Sequence, residues 1–227
     1  MHRRLVVSLL LACAVLAPLR AAPLERDLGE GLLYFRVHDL PADLPAAAPR
    51  AHALVLDLRY ASATPAGAAA LAAWMKSRAS SDWPVFVLLN PGTSPALLPA
   101  FVAGHRPAAG VVTLAPRSSS LTPDIAVDVA PDADRGAYDA LEHGAATDSL
   151  VTENADKPRH DEAELAHERA NPPAEADDVD ALPPEPADAT AAPAPPAPVI
   201  DRLLERAIQL HRGLVALHRI AVPPRAG

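Results

Sequence analysis

The chain has 227 residues, a formal net charge of -8 at pH 7, 26 prolines, one cysteine and 4% aromatic residues. This length allows one domain, and a single cysteine excludes an intramolecular disulfide and any cysteine-based metal site. The acidic balance argues against nucleic acid as a partner. No pattern for a cofactor or a metal is present, and none is expected.

His2-Arg3-Arg4 precedes an apolar run, Leu5–Leu16, and the small pair Ala21-Ala22. The run is too short to span a bilayer comfortably, so residues 1–22 read as a secretory signal. Leu10-Leu11-Ala12-Cys13 also resembles a bacterial lipobox, and lipidation of Cys13 would attach the protein to a membrane. Plain cleavage near Ala21 or Ala22 is preferred, although Arg20 departs from the usual small-residue spacing. Either route predicts an exported protein, periplasmic or secreted.

Gly31–His38 and Ala53–Arg59 read as strands, the second fully buried. Pro65–Lys76 has proline near its start and strong helix formers after it, which predicts a helix. Val85–Leu89 is a third strand, followed by turn residues Asn90-Pro91-Gly92 and a short helix over Ala96–Ala103, weakened by Pro99. Gly110–Leu114 and Asp124–Val129 are further strands. Strands alternating with helices predict an α/β sheet over 29–129.

Beyond Ala130 the order is lost, and 130–170 reads as an irregular charged segment that holds at most a short helix from about Asp161. Residues 171–198 are rich in proline, alanine and acids and have no basic residue, so they read as a disordered linker. Residues 199–220 regain helical periodicity, with Ile200, Leu203, Leu204, Ala207 and Ile208 on one stripe and Asp201 near the N-cap. Such a helix needs a surface, and the simplest is the chain's own α/β core.

The order of these segments resembles the C-terminal processing, or tail-specific, serine proteases. Leu54-Val55-Leu56-Asp57-Leu58-Arg59 matches that family's L-D-L-R strand, Val85–Thr93 its approach to an N-x-G-T turn, and Leu121–Ile125 its I-T-P-D-I segment. Gly31–His38 and Gly110–Leu114 resemble two more of its strands, and Pro198–Leu217 its closing helix. The resemblance implies a partial crotonase/ClpP-like α/β core and a serine-type peptidase ancestry. The family's peptide-binding insertion domain would precede the strand at Gly31, where only a few mature residues are expected to stand, so this chain is expected to be without it.

The departures fall on the catalytic parts. The family's oxyanion glycines follow L-D-L-R, where this chain has Tyr60-Ala61-Ser62-Ala63-Thr64. Pro95 occupies the family's nucleophile position. The loop that carries the family's lysine base reads Ala115–Thr122 here, with Arg117 and Ser118-Ser119-Ser120 but no lysine. Arginine stays protonated and cannot act as the base. The only lysines, Lys76 and Lys157, lie elsewhere. Ser94 is the weak candidate nucleophile, and its ordinary role, or that of Thr93, is to cap the following helix.

Two histidine pairs, His160/His167 and His211/His218, have a seven-residue spacing that is looser than a zinc enzyme's, so they read as solvated faces. Asp57 reads as structural. The expectation is an inactive tail-specific-protease-like module that binds or scaffolds, with extended peptides or an active protease relative as partner. The alternative is an active serine-type endopeptidase with a rearranged site.

Overall fold

The computed structural model describes residues 23–45, 48–101, 108–151, 198–220 and 222. The signal expected over 1–22 with Cys13, the pair His160/His167, the helix expected from Asp161, and nearly all of the linker expected over 171–198 lie outside the described residues.

The protein is mixed α/β. Six strands form one sheet in the order β1-β2-β4-β6-β7-β8: β1 Leu24–Asp27, β2 Leu32–Arg36, β4 Ala53–Asp57, β6 Val85–Leu88, β7 Val111–Pro116 and β8 Ile125–Val127. From β2 to β8 every neighbour is parallel, and β1 adds an antiparallel edge through a tight turn at 28–31. Two short strands, β3 Asp39–Leu40 and β5 Ser62–Ala63, form a separate pair. α1 (Pro65–Arg78) links β4 to β6, and its N-cap Thr64 accepts a hydrogen bond from Gly67 N. Gly67 is required there, because a Cβ would lie 2.5 Å from the Leu40 carbonyl oxygen.

Strand order explains the layering. Parallel strands added one after another in the same direction, with right-handed crossovers, place every crossover on the same face. That face is closed by Leu40, Leu71, Met75, Leu97 and Phe101 from successive connections, packed on Leu54, Leu56, Val85 and Val87. The opposite face must be covered by chain that follows the last strand. Leu141, Leu150, Leu203, Leu204, Ala207 and Ile208 do this, packed on Val55, Phe86 and Leu88.

These covering residues come from α2 (Pro131–Glu142), α3 (Thr147–Leu150) and α4 (Arg202–Ala216). The final helix thus docks on the chain's own sheet. The expectation of an irregular 130–170 is corrected by α2, which has Pro131 in its first turn, acids Asp132 and Asp134 beside it, and buried Ala137, Tyr138 and Leu141. The helix expected over Ala96–Ala103 is replaced within the described residues by a 3-10 turn, Leu98–Phe101. Pro99 cannot donate to a longer ladder.

The chain leaves α3 at Val151 and returns before α4, and Asp201 N donates to Leu150 O at 2.8 Å. The two ends of the stretch 152–197 are therefore held together by the fold. Replacing that stretch with a short Gly/Ser linker is expected to keep α4 docked and to leave the thermal unfolding temperature unchanged or raised. Each halving of a loop lowers its closure cost by about 0.6 kcal/mol. A fall in the melting temperature followed by circular dichroism would assign stabilising contacts to 152–197.

Candidate functional site

Parallel α/β sheets bind ligands outside the carboxyl ends of their strands. In this chain that end holds a buried polar cluster on the face covered by α2 and α4. Arg36 and Asp57 are register partners at the ends of β2 and β4. Arg59, two residues beyond Asp57, is wholly buried. Its guanidinium donates to Asp57 from Nε (3.0 Å to Oδ1) and Nη2 (2.7 Å to Oδ2). It also donates to Asp134 of α2 (Nη1, 2.8 Å) and to Asp201 at the N-cap of α4 (Nη2, 2.7 Å). One cation therefore ties the end of β4 to both covering helices.

Around this hub, Tyr34 Oη donates to Asp57 at 2.7 Å and accepts from Arg36 Nε at 3.0 Å. Asn90, just after β6, donates from Nδ2 to Asp134 at 2.9 Å. Arg36 lies over the Tyr138 ring at 3.8 Å and donates from Nη1 to Glu142 at 2.7 Å. His38 reaches the same Glu142 oxygen at 3.3 Å.

Burial works to raise the Asp57 carboxyl. The charge and hydrogen bonds of Arg59, helped by Arg36 and Tyr34, more than reverse that and hold it below its ordinary value. Burial likewise works against the Arg59 cation, and Asp201 and Asp57 hold it well above the ordinary guanidinium range. Burial, then Asp57, pushes the Tyr138 hydroxyl up to about 12. Asp57 is thus committed to Arg59 and Tyr34, a structural assignment of its contacts.

The turn after β6 is closed in a different way. Gly92 N donates to Asn90 Oδ1 (2.9 Å), Thr93 N to Asn90 O (3.0 Å), and Ser94 N to Ala61 O (3.0 Å). Pro95 has no N–H. Thr93 Oγ accepts from Asn90 N and donates to Leu58 O at 3.0 Å, while Ser94 Oγ donates to Ala63 O at 3.4 Å. Neither hydroxyl caps a helix, contrary to the ordinary expectation; both sew the turn to the segment 58–63. Tyr60, held at φ +59, lies on Gly92 so closely that a Cβ there would meet its ring at 2.3 Å. Arg135 lies over that ring, 4.5 Å from its centroid, and Tyr138 meets it edge-on at 4.8 Å.

The remaining candidates are dispersed. Arg117 is exposed and paired with Asp128 at 2.7 Å. Ser119 Oγ donates to Pro116 O, and Ser120 lines an apolar cleft of about 240 Å³ with Leu89, Leu98, Phe101, Leu121 and Pro123. Ser94 is not part of that cleft's wall. The His211/His218 pair does not form a solvated face: His211 is buried against Phe86, and His218 lies past the end of α4 at φ +52. Among the described residues, no cluster of His, Cys, Asp and Glu is arranged to hold a metal ion, and no helix is long and apolar enough to cross a membrane.

Sequence reasoning found Asp57, Arg59 and Asp201 as pattern residues but missed their convergence, and it missed Asp134 and Tyr138 with α2. A proline at a helix start followed by two acids was the signal available for them. Compared with known proteins, the chain matches no family model, and no curated protein is significantly similar to it.

Proposed function

We propose that this chain is an exported, non-catalytic relative of the tail-specific proteases, a crotonase/ClpP-like core that binds or scaffolds instead of cutting. Its partners on this reading are extended peptides or an active protease relative, and a lipid on Cys13 would add a membrane. The order of the L-D-L-R, N-x-G-T and T-P-D-I segments supports the family reading.

One observation carries the loss of chemistry: the turn Asn90–Pro95 is sewn to segment 58–63. Acyl transfer needs a nucleophile with a base in reach and N–H donors aimed at an incoming oxygen. The N–H groups of Gly92, Thr93 and Ser94 all bond within the protein. The Ser94 hydroxyl faces a backbone carbonyl, which cannot take its proton.

The test is digestion of an unfolded protein by the purified mature chain beside Ser94→Ala, with product C-termini mapped by mass spectrometry. Neither preparation is expected to cleave. Cleavage by the unmutated chain alone would establish the alternative, an active serine-type endopeptidase.

A further inference from the structure

Beyond its N-cap Asp201, α4 buries two titratable side chains, Glu205, which accepts from Arg202 at 2.9 Å, and His211. His211 is 1% exposed. Its Nε2 lies 3.0 Å from the Glu30 carbonyl oxygen, so it carries the hydrogen of that bond. Its Nδ1 is buried with no hydrogen-bond partner. The ring stands edge-on to Phe86 of β6, with centroids 6.5 Å apart.

The acceptor is unusual too. Glu30 sits at φ +53 between Gly29 (φ +81) and Gly31 (φ +75), in the turn that pairs β1 with β2. A left-handed conformation is unfavourable for a residue with a side chain, so its neighbours must hold it there. His211 is one of them.

We infer that His211 is an acid-sensitive latch between the C-terminal half of α4 and the β1–β2 turn. The neutral ring satisfies Glu30 and leaves the Nδ1 lone pair unpaired, a smaller cost than an unpaired buried charge. A proton on Nδ1 creates a buried cation whose new N–H has no acceptor. Phe86 is uncharged. The charged groups bearing on the ring are Glu30, which favours the cation, and Arg212 beside it on α4, which opposes it; burial outweighs both, and the ring's pKa lies below its ordinary value.

Release is confined to the last third of α4, the residues beyond His211. The first half stays fixed by Leu203, Leu204, Ala207 and Ile208 and by the Asp201–Arg59 pair. The sign follows: a histidine with a depressed folded pKa leaves docking at full strength above the unfolded value of about 6.5 and weakens it as pH falls below that.

The test is amide hydrogen exchange on the full chain at about pH 7.5 and about pH 5, corrected for intrinsic rates, beside His211→Gln, whose amide keeps a donor but does not titrate. In the wild type, protection of residues 212–217 and 28–33 should fall, by about tenfold for each pH unit separating the two pKa values. Protection of α1 should hold, and His211→Gln should lose little. Equal wild-type protection at both pH values, or the same loss in His211→Gln, would overturn the latch. Should the variant fail to fold, an NMR titration of the His211 ring decides: a midpoint below about 6.5 supports the latch, and one at or above it removes it.

Discussion

Arg59→Met is expected to destabilise the protein by about 3–5 kcal/mol in urea unfolding, because removing one partner of a buried ion pair strands the other. Here the stranded side holds three carboxylates, Asp57, Asp134 and Asp201, at most 4% exposed. Methionine roughly matches the arginine stem in length and apolar character, so the loss reports the charge and its hydrogen bonds. The effect is comparable with a small domain's whole stability of about 5–15 kcal/mol. Arg59→Lys keeps a charge but cannot reach three carboxylates from one fork, so it should fall between the two.

The pH dependence separates this account from simple loss of packing. In the wild type Asp57 is held below its ordinary value, so its contribution is fully present above the unfolded pKa of about 3.9. That contribution is lost as pH falls through the lower folded value. Without Arg59, burial acts with less opposition and Asp57 is raised, so the folded state takes up a proton more readily than the unfolded one. The Arg59→Met deficit should then shrink on acidification towards pH ~4. A deficit that is flat with pH would mean that Arg59 acts through its stem and not through its charge.

This hub also marks where the sequence stops being legible. The parallel strands could be read because each is a short apolar run bounded by turn residues, a local signal. α4 could be read because Leu203, Leu204, Ala207 and Ile208 keep one stripe. α2 was lost because Gly136 interrupts it and its buried stripe is narrow, while β1 (LERD) carries three charges in four residues, as an edge strand can. The cluster itself joins residues as far apart as Arg59 and Asp201, and nothing local in either motif announces that partner. Arg59 sits inside an apolar strand motif, where a buried arginine requires carboxylates from elsewhere. That requirement was visible in the sequence, but the identity of the carboxylates depended on α2.

Gly92→Ala should cost about 1–3 kcal/mol, the usual range for forcing volume into a packed site. The cost should nearly vanish when Tyr60 is already alanine. A Cβ on Gly92 would meet Tyr60 Cδ1 at 2.3 Å and Cε1 at 2.7 Å, so the ring must leave. With the ring leave its edge contact with Tyr138 and its place under Arg135. Gly92 has no positive φ, so the cost is steric and lies in the pair, which a double-mutant cycle measures directly. A coupling of about 1 kcal/mol or more would establish that Tyr60 and the turn pack as one unit. Additive effects would mean that the ring rests on the turn without restraining it.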